Sequence, residues 1–232
     1  MSKVSLPPDE EKYLYTEGIN YAETPDVSIW GSEDALTRET LRTEDIHGRW
    51  LNLCAGDGRF NERLLEKADR VVAADADQGA LDKLVRLTSR HLRPKLEIRA
   101  CNIVEPLPFD TASFDGIFCT GTLHLFPRPV FKKIVSELNR ILRPDGCMII
   151  DFATDIRRVR TDGSLYTVKG EPLYTLEGAI VFLKECFADY ETFIQTAKVE
   201  PEEVHVRNET YTFTSNYILL NARRKNPEHY PS

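Results

Sequence analysis

Several things are scarce in this chain, and each shortage excludes something. Five cysteines, Cys54, Cys101, Cys119, Cys147 and Cys186, are scattered without a CxxC pair. That excludes a disulfide framework or a zinc site and fits reduced, packed thiols in a cytoplasmic protein; no metal is expected. No apolar run approaches membrane-spanning length, and residues Met1 to Glu10 lack the apolar core of a signal peptide. Positive charge is also short: 30 Lys and Arg against 37 Asp and Glu leave a net charge of −7. An acidic balance argues against strong non-specific nucleic-acid binding. There is no internal repeat, low-complexity run or interdomain linker. What remains is a chain of 232 residues, 41% hydrophobic and 29% charged, enough for one globular domain with a substantial core.

The chain reads as alternating strands and helices. Residues 1–30 are polar and acidic, with Pro7, Pro8 and Pro25 as breakers and Tyr13, Tyr15, Tyr21 and Trp30 interspersed. They form an arm and a candidate lid over a pocket. Ser32 is placed to cap a helix from Glu33 to about Glu44. The apolar run Trp50-Leu51-Asn52-Leu53 then breaks into Cys54-Ala55-Gly56-Asp57-Gly58, and a helix-like segment, Asn61 to Lys67, follows. Glycines at a strand-to-helix turn let the backbone approach a ligand, and a helix N-terminus favours an anionic group. Arg70 to Asp75 reads as a second buried strand. Asp77 caps a helix carrying Leu81, Leu84, Val85, Thr88 and Leu92 at helical spacing, broken by Pro94. Leu96 to Cys101 alternates as a third strand, Phe114 to Cys119 forms a fourth and Cys147 to Phe152 a fifth. Between the last two, Pro129 to Leu142 is the clearest helix, with Phe131, Ile134, Val135, Leu138, Ile141 and Leu142 in one stripe. Arg157 to Val168 resembles a hairpin turning at Asp162-Gly163. Leu176 to Phe187 is a helix, and Tyr190 to Ala197 and Thr212 to Ala222 are strands that pair antiparallel. The expected fold is α/β: a Rossmann-like, seven-stranded, mostly parallel sheet with helices on both faces and an antiparallel C-terminal strand.

In such a sheet a ligand binds beyond the carboxyl ends of the strands, where strand order reverses. Gly56 and Gly58 end the first strand, Asp75 the second and Asn102 the third. Asp75 lies 17 positions after Gly58, close to the offset of an acid that holds a ribose diol. Its carboxylate can accept two hydroxyl protons. Together these point to a nucleoside-bearing cofactor. A nicotinamide dinucleotide fits poorly, because Asn61 stands where its fingerprint needs a third glycine and Arg59 and Phe60 add bulk.

Four segments carry a more specific resemblance: Leu53 to Gly58, Val71 to Asp75, Leu107-Pro108-Phe109 followed by Phe114-Asp115, and Leu142-Arg143-Pro144-Asp145-Gly146. In this order they resemble the class I S-adenosylmethionine-dependent methyltransferases of the broad type 11 kind, over about residues 45 to 155. The resemblance implies that Gly56 and Gly58, with the backbone at Cys54 and Ala55, hold the methionine part of S-adenosylmethionine. It assigns Asp75 to the ribose hydroxyls, Ala76 and Ile103 to the adenine ring, and Asn102 to the adenine amino group. Cys119 falls near the transferring methyl. The sequence departs from the family at two places: Asn52 stands where an acid is common, and Cys54 replaces the first glycine of the loop.

Methyl transfer from a sulfonium relies chiefly on positioning, which supplies roughly 7–11 kcal/mol in favourable cases, so few catalytic residues are required. His124 follows the fourth strand and is a candidate general base. Asp151, ending the fifth strand, is a candidate for orienting or deprotonating an acceptor. Arg157, Arg158 and Arg160 read as exposed hairpin charges rather than an anion site. The Asn/Asp-Pro-Pro-Tyr segment that resembles amino-methylating enzymes is absent, and Cys119-Thr120-Gly121-Thr122 stands there instead. Compact size and acidic charge favour a small-molecule acceptor and no membrane. A tRNA or protein acceptor, or a methyltransferase-like adaptor without catalysis, is the alternative. The expected organisation is an arm over 1–30, one methyltransferase domain over 31–225 with 156–172 as a hairpin covering the substrate, and a tail over 226–232. The sequence leaves the oligomeric state open.

Overall fold

The computed structural model describes residues 19–31, 34–167, 170–206 and 209–225. The strands that appeared as apolar runs assemble into one seven-stranded sheet in the order β3-β2-β1-β4-β5-β7-β6. The strands are β1 (Arg49–Leu53), β2 (Arg70–Asp75), β3 (Leu96–Ala100), β4 (Phe114–Cys119), β5 (Leu142–Arg160), β6 (Tyr190–Val206) and β7 (Glu209–Arg224). β1 pairs parallel with β2 and β4, β2 with β3, and β4 with β5. β7 runs antiparallel to both β5 and β6. This is the expected fold, with the final pair antiparallel because no crossover helix separates β6 from β7.

Two sets of helices cover the faces, since strands apolar on both sides need both faces buried. On one face lie α1 (Ala35–Thr43), α2 (Asn61–Lys67) and α3 (Gln78–Leu87). Leu41, Leu64 and Leu65 pack against residues such as Trp50, Val71, Phe118 and Ile149, and Leu81 and Leu84 against Ala73. On the other lie α4 (Arg128–Ile141) and α5 (Leu176–Cys186), whose Phe131, Leu138, Phe182 and Leu183 bury Leu51, Val72, Ile117 and Ile150. The α4 stripe read from the sequence is the buried face of that helix: Phe131, Ile134, Val135, Leu138 and Ile141 are all buried.

Element boundaries differ from expectation where local chemistry intervenes. The first helix is capped by Asp34, whose side chain accepts the Thr37 N–H; Ser32 and Glu33 fall outside the described residues. α3 stops at Leu87, because Thr88 turns to extended backbone and donates its hydroxyl to Leu84 C=O at 2.8 Å. The largest difference is β5. Its first arm of the expected hairpin is a direct continuation of the strand through Arg160, and the chain turns back so that Val159 bridges Leu165. β4 ends its pairing at Cys119 opposite Ile150, so everything in β5 beyond that overhangs the carboxyl edge of the parallel strands. β7 and β6 follow it out, with Arg160 opposite Tyr211. A bulge at Asp155 (φ 50°) bends this ribbon, and the Asp155 carboxylate accepts from Leu176 N–H at 3.1 Å and Asn216 Nδ2 at 2.9 Å.

Candidate active site

Strand order reverses between β1 and β4, and the loops at their carboxyl ends, with those of β2, β3 and β5, form the candidate site. The glycine loop is organised by backbone rather than by bulk. Ala55 N–H donates to Ala74 C=O at 3.0 Å, and Gly58 N–H to Ala55 C=O at 3.0 Å. Gly56 N–H donates to Asp75 Oδ2 at 2.8 Å, while Asp75 Oδ1 accepts from Asp77 N–H at 3.0 Å. The end of β1 is thereby fixed to the end of β2. Burial raises the Asp75 carboxyl above its ordinary range, and these backbone donors oppose the rise. Each oxygen retains lone pairs for a further donor.

Gly56 and Gly58 both have positive φ, 53° and 94°, where a side chain would be strained. Space adds a second constraint. A Cβ on Gly58 would meet Leu84 of α3 at 2.8 Å, so this position permits close helix–strand packing. A Cβ on Gly56 would meet Trp30 Nε1 at 2.9 Å. Cys54 also adopts a left-handed conformation (φ 55°) without being glycine, a strained geometry of the kind that clusters at functional sites. Its thiol is held well above its usual range by a hydrogen bond to Cys119 and by burial. Cys54 is therefore a neutral thiol at the end of β1, not a thiolate nucleophile, and Cys119 lies beside it at the end of β4.

The remaining candidates divide. Ala76 is exposed just past Asp75, and Ile103 is buried in the core beside Leu53 and Ala74. Asn102 is buried, with Oδ1 accepting from Val104 N–H at 3.2 Å. Asn52 turns to the helical face, where its Nδ2 donates to Asn61 Oδ1 at 3.2 Å at the start of α2. His124 and Asp151 do not form a pair. His124 packs edge-on against Phe152, on the α4–α5 side of β5. Burial, and secondarily the Arg158 charge, lowers its pKa to about 4. Asp151, one residue earlier in the strand, faces the other way, toward Arg59 and Asp34. It accepts Gly121 N–H at 2.6 Å, and burial lifts its pKa to about 6.

Several residues essential to this geometry escaped the sequence reading. Asp57, inside the glycine loop, is fully buried and pairs with fully buried Lys83 of α3 at 2.9 Å. The same carboxylate accepts from Ser28 Oγ at 2.6 Å and Ile29 N–H at 2.8 Å. Lys83 also donates to Thr24 Oγ1 at 2.8 Å. Arg59 donates to Trp30 C=O at 2.9 Å. Residues Thr24 to Trp30 are thus fastened over the loop by one buried ion pair. The available signal was Lys83 itself, three positions after Ala80 on the buried stripe of α3, where a cation needs a partner. In the ribbon, Arg158 is neutralised by a two-pronged contact with Glu171, 2.7 Å at each nitrogen. Arg160 lies over the Tyr166 ring, which stacks on Tyr211. Arg158 is mostly buried, so the expectation of wholly exposed hairpin charges holds only in part.

Comparison with known proteins agrees with this arrangement. Residues 51–146 match the family profile described as "Methyltransferase domain". A structure described as "DhpI-SAH complex structure" shares 20% identity and a TM-score of 0.55, covering 81% of each chain. The fold is that of the class I S-adenosylmethionine-dependent methyltransferases. A second structure, described as "Conversion of a Disulfide Bond into a Thioacetal Group during Echinomycin Biosynthesis", has a TM-score of 0.65 at 15% identity, over 94% of this chain and 92% of that one. Among curated sequences, a demethylmenaquinone methyltransferase of Clavibacter sepedonicus is 33% identical over 120 residues, 51% of this chain and 47% of that protein. The chain spans less than half the length of the curated relatives it matches. Among the described residues no helix is long and apolar enough to cross a membrane.

Proposed function

We propose that this chain transfers a methyl group from S-adenosylmethionine to a small-molecule acceptor. The observation that carries the reading is the clasp between Gly56 N–H and Asp75 at the point where strand order reverses. The residues around it fit the cofactor. Asp75 receives the ribose hydroxyls, Ala76 and Ile103 flank the adenine with Asn102 at its edge, and Gly56 and the backbone at Cys54 and Ala55 lie along the methionine. Gly58 sets how closely α3 supports that loop. Cys119 and Cys54 line the site beside the methyl. Asn52 acts indirectly, by holding α2 in place. Bound there, the cofactor's sulfonium supplies an already activated carbon, so the chain's contribution is orientation and exclusion of water.

The arm closes the site. Asp57 and Lys83 hold Thr24, Ser28 and Ile29, and Trp30 roofs Gly56. We assign the described part of the arm, from residue 19, as a lid; residues 1–18 of the expected arm lie outside the described residues, as does the tail. The overhanging ribbon, with the described residues of the expected 156–172 hairpin, covers the acceptor side of a single domain. A neutral His124 is competent to accept a proton or a hydrogen bond from an acceptor hydroxyl or amine. Asp151, ionised at neutral pH, orients the loop after β4 through Gly121 and faces the arm side of the site. Neutralisation of Arg158 by Glu171 favours an uncharged acceptor over an anionic one.

Calorimetric titration with S-adenosylmethionine, followed by a labelled-methyl transfer screen over small-molecule, RNA and protein pools, tests the reading. Binding that falls at least tenfold in Asp75→Ala supports it, as does label in the small-molecule pool. Absence of binding at millimolar cofactor sinks it and leaves a methyltransferase-like adaptor. Label confined to RNA or protein overturns the acceptor class.

A further inference from the structure

The two edges of the sheet differ in kind. β3 ends one side with five residues, whereas β6 closes the other with seventeen, and among the described residues β6 pairs with β7 alone. Lys225 N–H donates to Asp189 C=O at 3.1 Å. Antiparallel residues joined in this way direct their main-chain groups at each other, and the next residue along the strand turns its groups outward. The register runs on from Tyr190 opposite Arg224. Glu191, Phe193, Gln195 and Ala197 therefore bond to β7, while Thr192, Ile194, Thr196 and Lys198 point their N–H and C=O groups away from the sheet. The outward N–H of Tyr190 is already taken by Phe187 C=O at 3.0 Å. At the far end the register shifts between Val199 and Glu202, and Pro201 has no N–H to offer. The open stretch runs from Thr192 to Lys198.

Long edges are commonly blunted by internal charge or proline. From Thr192 to Ala197 this edge has neither. Its charges stand at the two ends, an exposed acid at Glu191 and an exposed base at Lys198. On the α1 face, Glu44 at the end of the helix reaches Arg223 of β7 at 3.7 Å. One strand further out, Phe193 is 62% exposed. We propose that β6 pairs antiparallel with β6 of a second copy of this chain, about a twofold axis at Gln195. A twofold perpendicular to the sheet makes the strands antiparallel and closes both edges in one contact. This register engages every outward residue: Thr192 bonds to the partner's Lys198, and Ile194 to the partner's Thr196. Each Glu191 then lies beside the partner's Lys198, whereas a parallel pair sets like charges side by side. Phe193 falls across from the partner's Ala197, which leaves room for the ring.

The test is analytical ultracentrifugation of the full chain, which is expected to sediment as a dimer at micromolar concentration. Thr196→Pro removes an outward N–H without touching the β7 ladder. It is expected to sediment as a monomer with an unchanged far-ultraviolet circular dichroism spectrum. Gln195→Cys is expected to form a disulfide-linked dimer under copper-catalysed air oxidation, because opposed residues that share no hydrogen bond lie within disulfide reach. Phe193→Cys, and the wild type with its own five cysteines, are expected to stay unlinked. A wild type that sediments as a monomer overturns the proposal. So does a dimer that survives in folded Thr196→Pro. Cross-linking absent from Gln195→Cys, or equal in Gln195→Cys and Phe193→Cys, places the interface elsewhere and equally overturns it. If Thr196→Pro fails to fold, the two cysteine variants decide by themselves.

Discussion

Replacing Asp151 with asparagine removes a charge without changing the shape of the side chain, and the structure gives the sign and size of the effect. The carboxylate accepts Gly121 N–H at 2.6 Å, a contact that asparagine Oδ1 can keep. Burial lifts the carboxyl from 3.8 to about 6 in the folded chain. The folded pKa lies above the unfolded value, so the folded state holds an extra proton between these two pH values. Wild-type stability therefore falls as pH rises through that window, and the loss is complete above about pH 6. At about 1.36 kcal/mol per pH unit, the cost of keeping Asp151 ionised reaches an upper bound of about 3 kcal/mol. Asp151→Asn should thus be more stable than wild type at about pH 7.5 by up to about 3 kcal/mol. The gap should shrink to about half that near pH 5 and vanish near pH 4. Urea denaturation followed by circular dichroism at the three pH values measures it. A variant no more stable than wild type at neutral pH, or a gap independent of pH, refutes the account. Labelled-methyl transfer by the same variant addresses function: a stabler protein with reduced turnover is the expected combination, and unchanged turnover removes Asp151 from the site.

Three further outcomes are expected. Lys83→Met leaves Asp57 charged and buried without its partner, which should cost about 3–5 kcal/mol in urea denaturation; a loss below about 1 kcal/mol would contradict the buried pair. For His124, folded pKa about 4 against an ordinary 6.5, the unfolded state binds the extra proton, so wild-type stability falls by up to about 3 kcal/mol as pH drops through that window. In His124→Gln that component should disappear from the pH–stability curve, and an identical curve would contradict it. Trp30 lies against Gly56, so its fluorescence should change when S-adenosylhomocysteine is titrated in. Trp30→Phe should abolish the change while Trp50 remains; a response that survives places the lid elsewhere.

The glycine loop, Asp75 and the strand–helix alternation were legible because each is a local signal. A left-handed turn favours glycine, a buried parallel strand demands an apolar run, and the stripe on α4 repeats at the period of the helix. Those same rules predicted the sheet, down to its antiparallel last pair. Beyond the hint of Lys83 on the buried stripe of α3, the arm's anchorage was not legible, since Ser28, Asp57 and Lys83 are far apart in sequence. Only the approach of α3 to the loop turns them into a buried ion pair. His124 and Asp151 look alike as candidates along the chain, yet they lie on opposite sides of β5: Asp151 and Phe152 point to opposite faces of the strand, and His124, in the turn after β4, packs on Phe152. Asn102 shows the division most sharply. The sequence by itself determined that a polar amide follows β3, whose end is level with Asp75 at the end of β2. Only the tertiary structure decided how that amide is held, with Val104 N–H donating to its oxygen and Nδ2 left without an acceptor among the described residues.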